Sequence, residues 1–232
     1  MQDGAPLIVG IGGTTDGVSS TEHALRAALR AAADAGARIQ LFGGADLARL
    51  PHYSRCQTQR TAEEQLLVNA VRQASGLIIA SPGYHGSVSG LVKNALDLLE
   101  ETVGDAARAY LTDVPVGLIA TAYGWQATGS TIAALRSIVH AFRGWPTPFA
   151  AAINSKLSRF DPVHGDTDPD VMEQLAMVGR QVAHAATCRW PLGQPAPPPL
   201  PETERNDRGD GKSRPGGVYS PAATYGDRAG SA

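Results

Sequence analysis

Pro6-Leu-Ile-Val-Gly-Ile11, then Gly12-Gly-Thr-Thr-Asp-Gly-Val-Ser-Ser-Thr21, then a run from Glu22 to Ala35 with Ala24, Leu25, Ala28, Leu29 and Ala32 at helical spacing: this succession decides the fold. A short, wholly apolar run suits a strand buried on both faces. The helix that follows is stopped by Gly36. The same alternation continues outward. Arg38–Phe42 reads as a second strand, followed by a polar loop over 43–59. Thr61 opens a helix with Glu64 at capping-box spacing. Leu77–Ala80, Val114–Thr121 and Pro148–Ile153 read as strands three to five. Ser89–Glu101, Thr128–Phe142 and Pro169–Ala186 read as the helices between and after them. Five strands alternating with helices imply a parallel sheet covered on both faces. Right-handed crossovers then make it an α/β doubly wound sheet.

Composition narrows the function classes. The chain has 232 residues, of which 18% are charged, against roughly 25% in an average soluble domain. Its net charge of −2 argues against a nucleic-acid binder, which carries a basic stripe. No apolar run reaches the ~18 residues of a membrane span, and no leader precedes the first apolar segment. Cys56 and Cys188 are far apart and form neither a CxxC nor a Cys/His cluster, so we expect a reducing, cytoplasmic context. Eight of the 16 prolines follow residue 190, and the Arg205–Gly217 stretch is rich in Gly, Arg and Asp. A segment so poor in apolar side chains does not offset its ordering entropy. The expected organisation is a folded domain over 1–189 and a disordered Pro/Gly-rich tail over 190–232.

In open α/β sheets, ligands bind beyond the carboxyl ends of the strands, where strand order reverses. The connections after strands one, three and four occupy that edge and are rich in Gly, Ser, Thr and aromatic residues. The first, Gly12–Thr21, runs into a helix whose free N–H groups and dipole favour a phosphate. It lacks the lysine of a Walker loop, since Val18 follows Gly17. Thr15 stands where a dinucleotide fingerprint wants Gly or Ala. Two readings fit what remains: a cradle for a monophosphate, or a Ser/Thr-capped helix with a flexible entry.

The second connection, Ser81-Pro-Gly-Tyr-His-Gly-Ser-Val-Ser-Gly-Leu-Val-Lys-Asn-Ala-Leu-Asp97, resembles the signature of the NADPH-dependent FMN reductase family. Pro82, Tyr84, Ser87, Gly90, Lys93, Asn94 and Asp97 match that pattern in register, seven residues in sixteen positions. In the first connection Gly13, Thr14 and Ser19 match, and Thr21 stands for the family's Asn. Asp16 replaces its Arg. The third, Thr121–Gly129, is similar to the family's Gly-rich segment after strand four. The likeness spans about residues 6–186. It implies a flavodoxin-like fold, FMN as cofactor, NADPH or NADH as electron donor, and a homodimer or homotetramer.

On that resemblance, Thr14, Ser19, Ser20 and Thr21 with the first helical turn would hold the FMN phosphate. A carboxylate within ~5 Å of a phosphate is costly, so Asp16 must turn outward. Pro82, Gly83, Tyr84, His85, Gly86 and Ser87 would line the isoalloxazine edge, glycine letting the main chain approach the ring. Thr121, Tyr123, Gly124 and Trp125 would reach it from the third connection. Lys93, Asn94 and Asp97 read better as capping, pairing or packing on their helix than as catalytic groups. His85 either polarises a flavin carbonyl or bonds to the backbone. No catalytic acid or base and no metal site is assigned. Gly86–Gly90 has Val88 where a hydrolase elbow needs its nucleophile, and His164-Gly-Asp166 lacks partner ligands and reads as a loop.

The leading reading is an FMN-dependent NAD(P)H oxidoreductase passing electrons to a small acceptor: free flavin, a quinone, an azo compound or one specific metabolite. The alternatives are a flavodoxin-type electron carrier, disfavoured because carriers of that kind are strongly acidic, and a flavin-free interaction module.

Overall fold

The computed structural model describes residues 4–16, 19–158, 160–161 and 166–188. The expected tail from residue 190 and His164 lie outside the described residues.

The chain alternates as the apolar runs anticipate. Strand β1 (Leu7–Gly12) leads to helix α1 (Ser20–Asp34), then β2 (Arg38–Phe42), a one-turn helix α2 (Gly44–Leu47) and α3 (Ala62–Gln73). Strand β3 (Gly76–Tyr84) folds back as a short β4 (Ser87–Val88) before α4 (Gly90–Asp97). A 3-10 segment over Leu98–Thr102 precedes β5 (Pro115–Ala122), α5 (Trp125–Ala141) and β6 (Trp145–Asn154). The pair β7 (Phe160–Asp161) and β8 (Asp166–Thr167) precedes α6 (Pro169–Thr187). The principal strands lie in the order β2-β1-β3-β5-β6, all parallel. Renumbered over those five strands alone the order is 2-1-3-4-5, the flavodoxin-like doubly wound sheet.

Strand periodicity sorts the core into two layers. Val9, Ile11, Leu77, Ile79, Val116 and Leu118 face α3, α4 and α5. Ile8, Ile78, Ala80 and Ile119 face α1 and α6. The helix starts follow from local chemistry. Thr61 and Glu64 close the expected capping box, with Oγ1 accepting from the Glu64 amide at 3.2 Å and the Glu64 carboxylate accepting from the Thr61 amide at 2.7 Å.

Several boundaries differ from the sequence reading. Strand three does not stop at Ala80 but runs to Tyr84, because Ser81 and Pro82 still pair with Ala120 and Thr121 of β5. The helix expected over Ser89–Glu101 is α-helical only to Asp97 and tightens into the 3-10 segment after it. The last strand begins at Trp145 and so includes Pro146 and Pro148. It lies at the sheet edge, where the missing proline N–H groups are tolerated. Among the described residues, no helix is long and apolar enough to cross a membrane.

Candidate functional site

The carboxyl ends of β1, β3 and β5 lie side by side, Gly12 beside Ala80 and Pro82 beside Thr121. Strand order reverses between β1 and β3, so the three expected connections share one edge.

In the first connection, Ser19 caps α1. Its buried hydroxyl accepts from the Glu22 amide at 3.1 Å and from the Thr14 amide at 3.2 Å. One side chain therefore both starts the helix and ties the Thr14 amide to it. Thr14 and Ser20 are half-buried, while Thr15 and Asp16 are exposed. The hydroxyl of Thr21 is buried and shares a 2.6 Å hydrogen bond with the buried hydroxyl of Thr121. This pair of expected ligand-facing residues ties the start of α1 to the end of β5 across β3.

Gly12 and Gly13 are required by neighbouring protein. At Gly12, φ is +156° and a Cβ would stand 2.1 Å from the Ala80 carbonyl oxygen. At Gly13 (φ +130°) it would meet the Gly44 amide at 2.7 Å. Asp16 was the carboxylate of concern, but the one seated behind the turn belongs to Glu22. Its Oε2 accepts from the Gly44 amide at 2.8 Å, and Oε1 bonds Arg26 at 2.7 and 3.0 Å. Burial acts to raise the Glu22 pKa, yet the Gly44 amide and Arg26 together outweigh it and hold the carboxyl below the ordinary glutamate range. The Ser19-x-x-Glu22 spacing is the sequence signal that could have found this residue.

The second connection is a hairpin. Gly83 pairs with Val88 and Tyr84 with Ser87. The turn residues His85 and Gly86 have φ of +50° and +86°, as a tight two-residue turn of the primed type requires. Pro82 is buried, whereas Tyr84, His85, Gly86 and Ser87 are exposed. Gly83 sits against α5. A Cβ there would lie 2.7 Å from Thr131 Oγ1 and 3.0 Å from the Ala127 carbonyl oxygen, so its missing side chain makes room for α5. Thr131 Oγ1 donates to the Ala127 and Ser87 carbonyls at 2.8 and 3.3 Å, fastening the hairpin to α5. Ser81, fully buried, donates to the Pro82 carbonyl and accepts from the Ser89 amide. Sequence reasoning missed both side chains, which act only through residues brought near by the fold.

The third connection is shorter than expected, because α5 begins at Trp125 with Gly124 as its N-cap. Tyr84, Tyr123 and Trp125 are 51%, 81% and 57% exposed, giving this edge three large aromatic side chains open to solvent. Lys93, Asn94 and Asp97 act within the protein. Lys93 pairs with Asp97 one turn on. Asn94 accepts from the Tyr53 amide at 2.8 Å and donates to the Pro51 carbonyl at 2.9 Å, pinning the segment after α2. Among the described residues, no three His, Cys, Asp or Glu side chains are placed to hold a metal ion.

The model of the NADPH-dependent FMN reductase family matches residues 6–157. An FMN-dependent NADPH-azoreductase of Staphylococcus saprophyticus is 38% identical over 84 residues, 36% of this chain and 40% of that protein. The chain spans less than half the length of the curated relatives it matches. Among solved structures, an oxidoreductase from Corynebacterium diphtheriae superposes with a TM-score of 0.62 at 18% identity, covering 80% of this chain and 98% of that one. The flavoenzyme NAD(P)H:(acceptor) oxidoreductase of Paracoccus denitrificans gives 0.62 at 18%, covering 79% and 98%. At such identities these two likenesses speak for the fold.

Proposed function

Since this chain belongs to the NADPH-dependent FMN reductase family, we propose that it is an FMN-dependent oxidoreductase carrying electrons from NADPH or NADH to a small acceptor. The acceptor class on this reading is a free flavin, a quinone, an azo compound or one specific metabolite. The observation that carries it is the convergence of three connections rich in neutral donors and exposed aromatics at the point where strand order reverses.

The residues present fit FMN by the chemistry of their donors. Residues 12–21 contain no Lys or Arg, yet the first amides of a helix have no partner within it and suit an anion. With the hydroxyls of Thr14, Thr15 and Ser20, those amides would hold the phosphate. Ser19 and the Thr21–Thr121 pair support that turn from within. The hairpin from Pro82 to Ser87 would border the isoalloxazine, its exposed turn offering main-chain N–H donors toward charge on the pyrimidine side. Tyr84, Tyr123 and Trp125 would flank the ring and exclude water from its faces. When bound, FMN supplies acceptance of a hydride and its onward transfer. The chain's own task is to bind, orient and shield, and it needs no acid or base for that. The assembly on this reading is a homodimer or homotetramer.

The test is a purified preparation. We expect a yellow protein with an FMN spectrum that consumes NADPH or NADH when a quinone, azo dye or added flavin is present. A yellow protein inert to both nicotinamides would identify an electron carrier instead. A colourless one that cannot be reconstituted with FMN would leave an interaction module. Sedimentation of the active form gives its oligomeric state.

A further inference from the structure

Glu22 is the third residue of α1, where a glutamate ordinarily turns back to the N-cap amide of its own helix. Here it crosses to another connection, accepting from the Gly44 amide at 2.8 Å. Glycines leave the slot open. A Cβ at Gly43 would stand 2.7 Å from Glu22 Oε2, and one at Gly13 would stand 3.1 Å from the same oxygen. A Cβ at Gly44 would be 1.7 Å from the Thr14 carbonyl oxygen, so the two turns meet backbone to backbone. Gly43 is held in turn by Asp46, whose carboxylate accepts from the Gly43 amide at 3.0 Å. Thr14 is thus held on one side by the Ser19 hydroxyl and backed on the other by the Gly44 turn, which the Glu22 carboxylate ties to α1. That carboxylate is neutralised locally by Arg26, so it braces the turn without presenting an unpaired charge to it.

We propose that Glu22 is a positioning residue for phosphate recognition. By holding Gly44 against Thr14 it sets the shape of the β1–α1 turn, and with it the preference of the site for FMN over riboflavin, which has no phosphate. The proposal rests on the flavin reading above. Glu22 acts through Gly44 on Thr14 and the start of α1, so its loss is felt by the phosphate and not by the ring, which on this reading lies with the other two connections.

The experiment is a fluorescence titration of the full-length protein with FMN and, separately, with riboflavin, in wild type, E22A, E22D and E22Q. Thermal melts without flavin check that each variant is folded. Loss of one ordering hydrogen bond is read as about a tenfold rise in the Kd for FMN in E22A. The Kd for riboflavin should stay within about twofold, since no contact to the ring changes. E22D, whose shorter side chain does not reach Gly44, should behave as E22A and carries the test if E22A does not fold. E22Q keeps an acceptor for the Gly44 amide and should restore FMN binding. Equal changes for both flavins, no change for FMN, or an E22Q as weak as E22A would overturn the proposal while leaving the flavin reading intact. A wild type that binds neither flavin would overturn both.

Discussion

Replacing Gly83 tests whether the hairpin is shaped by the protein or by a ligand. The perturbation is Gly83→Val, with Gly83→Ala as the smaller step. Any Cβ here falls 2.7 Å from Thr131 Oγ1, 3.0 Å from the Ala127 carbonyl oxygen and 3.2 Å from the Ala122 methyl. Thr131 is fully buried and its hydroxyl is committed to the Ala127 carbonyl, so it cannot swing away without losing that bond. Overpacking of this kind costs about 1–3 kcal/mol, and a lost internal hydrogen bond adds about 1 kcal/mol. Gly83→Val is therefore expected to destabilise the domain by about 3 kcal/mol, with Gly83→Ala nearer the low end. In a domain of this size each kcal/mol lowers Tm by about 2–4 °C, giving a fall of about 6–12 °C for the valine variant. The assay is thermal unfolding by circular dichroism in the absence of flavin. Adding Thr131→Ala to Gly83→Ala should recover part of the loss, because the closest contact is then gone. A Gly83→Val protein that melts with the wild type and merely binds flavin more weakly would refute this reasoning. It would return the glycine to the role of admitting a ring.

Four other outcomes are expected. Thr121→Val strands the buried Thr21 hydroxyl and should cost about 1–2 kcal/mol in urea unfolding, whereas Thr21→Val/Thr121→Val together should cost less than the sum of the singles. Asn94→Ala removes both bonds to Pro51 and Tyr53 and should destabilise by about 1–3 kcal/mol, with hydrogen exchange accelerating first at the Tyr53 amide. Trp125 begins α5 at the carboxyl edge while Trp145 begins β6 at the opposite end, so in a Trp190→Phe background flavin should quench tryptophan emission, and far less so once Trp125→Phe is added. Glu22, held below its ordinary value of 4.5, contributes stability that is fully present above that pH and is lost as pH falls through its folded value. The difference in urea midpoint between wild type and Glu22→Gln should accordingly shrink on acidification below 4.5, and a constant difference from pH 3 to 7 would contradict it.

Much of the fold is legible locally. Ile8–Ile11, Leu77–Ala80 and Val116–Ala120 are continuous apolar runs because both faces of each strand are covered, and no partner need be known to see that. Thr61 with Glu64 announces a helix start for the same reason: the groups that satisfy one another are three residues apart. The hairpin was not legible. The apolar run reads as ending at Ala80, yet β5 supplies the partner for Pro82 and α5 the space that Gly83 must leave. Trp125 reads as a loop residue because its helix begins at a glycine cap without a side-chain signal.

By itself, the sequence determined the layer order, the edge at which three donor-rich connections meet, and the family. Each of these depends on runs and spacings within about twenty residues. Tertiary structure alone decided which of those side chains remain available. Thr21 is turned to a partner 100 positions away, Gly13 makes room for the Gly44 turn, and Gly83 makes room for a helix. The physical reason is that a hydroxyl or a missing Cβ has no fixed purpose until close packing chooses its neighbour, and here those neighbours come from distant turns of the chain.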